Sequence, residues 1–276
     1  MHCRVRGAVA LLLICLPIAD LRNCTCGQEG QVSRVINGRK TAIGHFPWVV
    51  RVMRDVPRAR SYCTGSLISN TFVLTAAHCV PRSRDPSAVR VIIGQQCGYT
   101  GYRENDTTWR ESEVMRVIRN KRYVDHWHVG NDVALLELRI PLPMDHDFMP
   151  ACLSDFQLFD NFLVVGWGNV NNGSRIIHSD CLNEADLDIV PHRTCRWTHP
   201  YANMNYVVCA GGKKSNICNG DSGGPLMTRK FGRIFQAGIT SFMRRGCLSG
   251  RPAAFERISP HLPWIMRNTK NSICLP

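Results

Sequence analysis

The octapeptide Cys218-Asn219-Gly220-Asp221-Ser222-Gly223-Gly224-Pro225 sets a serine between an aspartate and two glycines. A serine hydroxyl is a weak nucleophile at neutral pH, so its use requires a base to take the proton and donors to hold an oxyanion. Glycines on both sides let the backbone turn sharply, bare the hydroxyl and aim N–H groups at a developing negative charge. Alone, Gly-Asp-Ser-Gly is ordinary turn chemistry. Two upstream stretches change its weight. Thr75-Ala76-Ala77-His78-Cys79 offers a base, and Asn131-Asp132-Val133-Ala134-Leu135-Leu136 offers a carboxylate at the head of an apolar strand. Nucleophile, base and orienting carboxylate are the parts needed for acyl transfer through a covalent intermediate. Any one of the ten histidines, taken alone, reads as a surface or core residue; His78 stands out through its company.

The elements around these residues read as strands. Short β-branched and aromatic runs broken by turn residues recur from Trp48 onward, at 48–52, 89–93, 133–138, 162–165, 187–190 and 234–240. Strands at such spacing indicate an all-β barrel or sandwich. No run has sustained helical period until Ser259–Arg267, where Ser259 is placed to cap a terminal helix. Residues 1–19 begin with Arg4 and Arg6 and continue into the apolar run Ala8–Leu16, which is too short to span a bilayer and reads as a secretory signal. Residues 20–34 form a short polar segment with Cys24 and Cys26, leaving 35–276 as the folded domain.

From Val35 to about Asn271 the chain resembles the chymotrypsin-like (S1) serine proteases. The resemblance rests on Arg34-Val35-Ile36-Asn37-Gly38, Phe46-Pro47-Trp48, Thr75–Cys79, Asp132–Leu136, Gly166-Trp167-Gly168, Cys218–Leu226 and Pro263-Trp264-Ile265, seven landmarks in order. It implies two six-stranded antiparallel β-barrels with a C-terminal α-helix. His78 and Asp132 would come from the first barrel and Ser222 from the second. It further implies Ser222 as nucleophile, His78 as general base and then acid, and Asp132 as the group orienting the imidazole. The N–H groups of Gly220 and Ser222 would form the oxyanion hole, and Ser241 would support the aspartate. A cut at Arg34-Val35 would activate a zymogen, the new Val35 ammonium pairing with Asp221.

Specificity departs from the best-known members. Six residues before Ser222, at the floor of the implied S1 pocket, stands the neutral Asn216, beside the apolar Ile217. The walls carry Ser241, Phe242, Met243 and Ala253 where many members have glycine at the last two positions. A small-to-medium uncharged P1 residue is expected, because nothing there would offset a buried cation. A trypsin-like or narrowly specific variant of the same chemistry is the alternative. The resemblance supplies the disulfides Cys63–Cys79, Cys195–Cys209 and Cys218–Cys247. Cys152 resembles the cysteine that tethers a pro-segment, with Cys26, or else Cys24, as partner. Phe162 and Thr228 replace both ends of the common bridge behind the nucleophile, and Cys97–Cys181 and Cys24–Cys274 are assigned to what remains. The calcium loop of some members would begin near Gln95, which is no carboxylate, so neither metal nor cofactor is expected.

Composition sets the compartment and the partners. Two of the 14 cysteines leave with the signal, and an even dozen in an exported chain implies disulfides. Sequons at Asn23, Asn105 and Asn172 could carry glycans. The formal charge is +13, of which the first 22 residues hold +2. A protein this basic is drawn to anionic surfaces, so a heparin-like polyanion is a candidate partner and a mainly binding role a second reading. Nucleic acid is excluded by compartment and by the want of a binding motif. The expected form is a secreted monomer with no membrane span, meeting protein or peptide substrates, an activating trypsin-like protease and protein inhibitors.

Overall fold

The computed structural model describes residues 25–30, 41, 44–56, 59–95, 97, 109–125, 130–145, 148–154, 161–168, 179, 181–211, 216–243 and 251–275. The signal region, Arg34, Val35, Cys24, Cys247 and the sequon asparagines 23, 105 and 172 lie outside the described residues.

Two closed barrels account for nearly all the regular structure. The first contains β1 (Val49–Val56), β2 (Ala59–Leu67), β3 (Phe72–Thr75), β4 (Val89–Ile93), β5 (Arg110–Arg119) and β6 (Ala134–Leu138), closed in the order β1-β2-β3-β6-β5-β4. After the two-residue β7 (Cys152–Leu153) come β8 (Asn161–Gly166), β9 (Asn183–Ile189), β10 (Val207–Gly211), β11 (Pro225–Lys230), β12 (Arg233–Phe242) and β13 (Ala253–Arg257). These six run in the order β11-β8-β9-β10-β13-β12, the β11–β12 pairing closes them, and β7 adds a short parallel edge to β12. Every pairing within the two barrels is antiparallel, as expected of strands joined by short turns.

The barrels share one apolar core. Trp48 and Trp167, both fully buried, sit in a cluster that runs from Val50 and Leu135 of the first barrel to Leu163, Met227 and Ile239 of the second. The indole Nε1 of Trp48 donates to Met227 Sδ at 3.2 Å across that boundary. A separate cluster around Phe162, Leu226 and Phe255 fills the second barrel.

Two expectations about helices are corrected. A seven-residue helix, α1 (His192–Thr198), forms where no helical period was visible, and the Cys195–Cys209 disulfide fastens it to β10. The C-terminal helix α2 spans Leu262–Asn268 and is not capped by Ser259. That serine opens a 3-10 turn, Ser259–His261, and Pro263 in the first turn of α2 needs no N–H partner.

Disulfides join Cys63 to Cys79, Cys26 to Cys152, and Cys97 to Cys181. Cys218 and Cys274 are also disulfide-bonded, to partners outside the described residues. Phe162 and Thr228 are both buried on the neighbouring strands β8 and β11. The stretch 25–30 lies against the second barrel: Gly27 N donates to Pro150 O, and Ile234 N donates to Gly27 O. Among the described residues no helix is long and apolar enough to cross a membrane.

Candidate active site

His78 lies in the 3-10 turn Ala77–Cys79 that follows β3, and the Cys63–Cys79 disulfide ties that turn to β2. Asp132 lies two residues before the start of β6, the strand paired to β3, so the register of two neighbouring strands sets the two side chains together. The His78 imidazole Nδ1 lies 2.8 Å from Asp132 Oδ2, and the backbone N–H of His78 donates to Oδ1 at 3.0 Å. Ser241, near the end of β12, donates its hydroxyl to Oδ2 at 2.5 Å, so the second barrel completes the shell around a carboxylate that is 3% exposed.

The electrostatics follow from these contacts. Burial favours the neutral acid at Asp132, but His78 and the Ser241 hydroxyl outweigh it and hold the carboxyl below its ordinary value. At His78 burial works against the cation, yet the Asp132 carboxylate prevails and raises the imidazole above its ordinary value. An imidazole that can gain a proton beside a fixed anion is suited to general-base work.

Ser222 heads the turn between Cys218 and β11. Thr64 of β2 grips that turn twice, donating its N–H to Ser222 O at 2.8 Å and its hydroxyl to Gly220 O at 2.9 Å. Gly223 has φ +80°, and a Cβ there would lie 2.2 Å from Thr75 Oγ1. Only glycine permits this approach to the strand that leads into His78. Gly220, at φ +105°, is likewise confined against the Tyr62 ring. The N–H groups of Gly220 and Ser222 donate to no backbone acceptor among the described residues, whereas the flanking N–H groups of Asp221, Gly223 and Gly224 all do. No hydrogen bond joins Ser222 to His78; the polar contact at His78 Nε2 is Cys79 Sγ, at 3.7 Å.

Asp221 turns away from Ser222. Its Oδ1 accepts from Gly168 N at 2.7 Å and its Oδ2 from Cys218 N at 2.8 Å, and no cation faces it among the described residues. Burial pushes this carboxyl up to about 6 against the pull of the two N–H groups.

The residues assigned to the specificity pocket divide. Asn216 is partly exposed and donates to Arg251 O at 2.7 Å, while its own Oδ1 accepts from Ile217 N. Ile217 and Ala253 are buried in the core of the second barrel, with Met243 packed at its edge. Phe242 packs edge-on against His199, with ring centroids 5.1 Å apart. Asn216, Phe242 and Met243 are the partly exposed members of this set, and Ile217, Ser241 and Ala253 are buried.

Two contributors escaped sequence reading. Thr64 carries no motif, and its role depends on β2 lying beside the serine turn. Glu256 of β13, a fully buried carboxylate, accepts from the N–H of Asn131, next to Asp132. Its signal was one acidic residue directly after the apolar run Ala253-Ala254-Phe255. Among the described residues, the grouping with metal-ligand spacing is Cys63, His78 and Cys79. The disulfide between its two cysteines removes the thiolates that a metal would need.

Comparison with known proteins agrees with this geometry. The family model described as Trypsin matches residues 35–265. The chain is 30% identical over 243 residues to a protein named coagulation factor IX from Oryctolagus cuniculus, covering 84% of this chain and 83% of that one.

Proposed function

The chain belongs to the trypsin family of serine proteases, and from that membership we propose a secreted endopeptidase, made as a zymogen, that works through Ser222, His78 and Asp132. The observation that carries this reading is the doubly bonded His78–Asp132 pair. Ser222 attacks the scissile carbonyl as His78 takes its proton. Gly220 N and Ser222 N receive the oxyanion, and the imidazolium then protonates the leaving amine. Asp132 and Ser241 keep the ring in the tautomer that presents Nε2 to the serine. Residues 1–19 are removed on export, and cleavage after Arg34 frees Val35. The Cys26–Cys152 disulfide then keeps the pro-segment attached to the mature enzyme. The test is a fluorophosphonate probe on protein cut at Arg34, followed by a peptide-library profile. Labelling at Ser222 with cleavage after small or medium uncharged residues is the expected outcome. A correctly processed protein that neither labels nor cleaves would overturn the reading.

The P1 preference follows from Asn216 and Met243. Asn216 offers a neutral amide already engaged with Arg251 O. Asn216→Asp is expected to shift cleavage toward Lys and Arg by about 10- to 100-fold in relative kcat/KM, the scale of one buried charge contact. An unchanged library profile in this variant would show that Asn216 does not face P1.

A second reading, in which attachment to anionic polymers matters, is favoured by one cavity. A space of about 540 Å³ beside α2 is lined by Arg84, Arg116, Arg119, Lys121, Arg122 and Arg267, with no acidic residue in its wall. Arg116 and Arg119 pair with Glu137 and Asp125, whereas Arg84, Lys121, Arg122 and Arg267 make no ion pair among the described residues. Retention on a heparin column beyond physiological ionic strength, about 0.15 M, is expected. Lys121→Glu with Arg122→Glu and Arg267→Glu should abolish that retention. Elution of the wild type below that salt would remove the reading.

A further inference from the structure

Glu256 is an acidic residue at the end of the buried run of β13, paired on one side with Val207 of β10 and on the other with Ile239 of β12. Its side chain is 0% exposed, and among the described residues no lysine or arginine pairs with it. A buried carboxylate is costly to keep, and replacement by an apolar residue often stabilises a core. What this one does is bonding across the barrel boundary. Its Oε1 accepts from Asn131 N at 2.7 Å and meets His261 Nε2 at 2.5 Å, while the buried Oε2 has no hydrogen-bond partner among the described residues.

The bond to Asn131 falls where the backbone is least able to hold itself. Asn131 has φ 65°, a left-handed conformation that non-glycine residues seldom adopt, and Gly130 before it has φ 119°. A Cβ on Gly130 would lie 3.0 Å from the side chain of Tyr206, whose ring stacks on His261 at 5.4 Å. The segment entering Asp132 is therefore clamped from the second barrel by Tyr206, His261 and Glu256. Asp132, the next residue, must keep both carboxylate oxygens aligned with three donors, His78 N, His78 Nδ1 and Ser241 Oγ.

We propose that Glu256 is a positioning residue for Asp132, holding the strained Gly130–Asn131 backbone through the Asn131 N–H so that the carboxylate stays aligned with His78. This inference rests on the serine-protease reading given above. Beyond His261 and Asp132, the ionisable group facing Glu256 is Tyr123. His78 itself is faced by Asp132, Arg54 and Asp125.

Glu256→Met removes the acceptor at similar size, whereas Glu256→Gln keeps an oxygen for Asn131. The Met variant is expected to lower kcat about 10- to 100-fold with KM unchanged, the scale of a misplaced catalytic group. Because Asp132 raises the His78 pKa, its misalignment should move the His78 titration, followed by NMR, to lower pH; the Gln variant should restore both properties toward wild type. An unaltered His78 titration in folded Glu256→Met protein would overturn the proposal. If that variant does not fold, hydrogen exchange in the wild type decides. A protected Asn131 amide supports the clamp, and exchange at the rate of a free loop amide overturns it. A wild type that resists the fluorophosphonate, beside a Met variant with a shifted His78 titration, would refute the protease reading and leave the positioning link standing.

Discussion

Ser222→Ala protein is expected to lose about five to six orders of magnitude in kcat on a matched peptide, with its thermal midpoint close to wild type. The two halves of that expectation have separate causes. The Ser222 backbone is held by Thr64 N through its carbonyl, but its hydroxyl makes no hydrogen bond among the described residues, so removing the oxygen costs the fold little. Chemically, nothing nearby replaces it: Thr64 and Thr75 spend their hydroxyls on Gly220 O and Thr64 O. His78→Ala should cost a similar factor, and the double variant should cost no more than either, because the groups act as a unit. Asp132→Asn should lower kcat by about 10⁴-fold. An amide NH2 facing Nδ1 would force the imidazole into the tautomer with its proton on Nε2, the wrong nitrogen for a base. In the wild type the rate should fall as the pH drops through the raised His78 pKa. Single-turnover kinetics on these variants is the measurement. A Ser222→Ala protein that still turned over near the wild-type rate would place the nucleophile elsewhere.

The strands were legible because β-branched and aromatic runs survive where they face a core, whereas the two-barrel division came from the family resemblance alone. The runs at 89–93 and 234–240 lie within β4 and β12 for that reason. β5 was harder to read: in Arg110-Glu111-Ser112-Glu113-Val114-Met115-Arg116-Val117 most side chains face solvent, and only Val114 and Val117 are buried. α1 was invisible because a seven-residue helix can be fixed by a disulfide without an apolar stripe. At the site, His78, Asp132 and Ser222 stood out as candidates since each sits in its own local motif, and His78 and Asp132 lie in hydrogen-bond contact. Thr64 and Glu256 were not. Thr64 lies 156 residues from the Gly220 carbonyl it holds, and Glu256 lies 125 from the Asn131 N–H it accepts. Partnerships at such separation are set by how the barrels meet, which no short pattern encodes. Asn216, the residue proposed for the pocket floor, could be picked out by counting from Ser222, but its engagement with Arg251 O depends on a backbone that only folding brings near.

Asp221 should make the stability of the uncleaved chain fall as the pH rises, and cleavage after Arg34 should cancel that fall. The sign follows from the direction of the shift. Its carboxyl titrates near 6 in the folded protein, against 3.8 when unburied, so between those values the folded state holds a proton that the unfolded state has lost. Stability from this group is therefore present at low pH and is lost as the pH climbs through that window, by at most about 3 kcal/mol. Two backbone N–H groups soften the cost of ionisation without removing it. A cation would remove it. If the Val35 ammonium released by cleavage pairs with Asp221, the carboxyl should ionise at lower pH and the turn bearing Gly220 and Ser222 should be stabilised with it. Denaturant titrations of the uncut form from pH 4 to pH 7 should thus decline more steeply for wild type than for Asp221→Asn, and the cut wild type should lose that excess slope. Asp221→Asn should also gain little activity on cleavage, remaining at least about 100-fold below wild type, the scale of a broken buried pair. Equal slopes in the uncut wild type and Asp221→Asn would show that Asp221 is not held protonated. Full activation of the variant would show that the ammonium acts elsewhere.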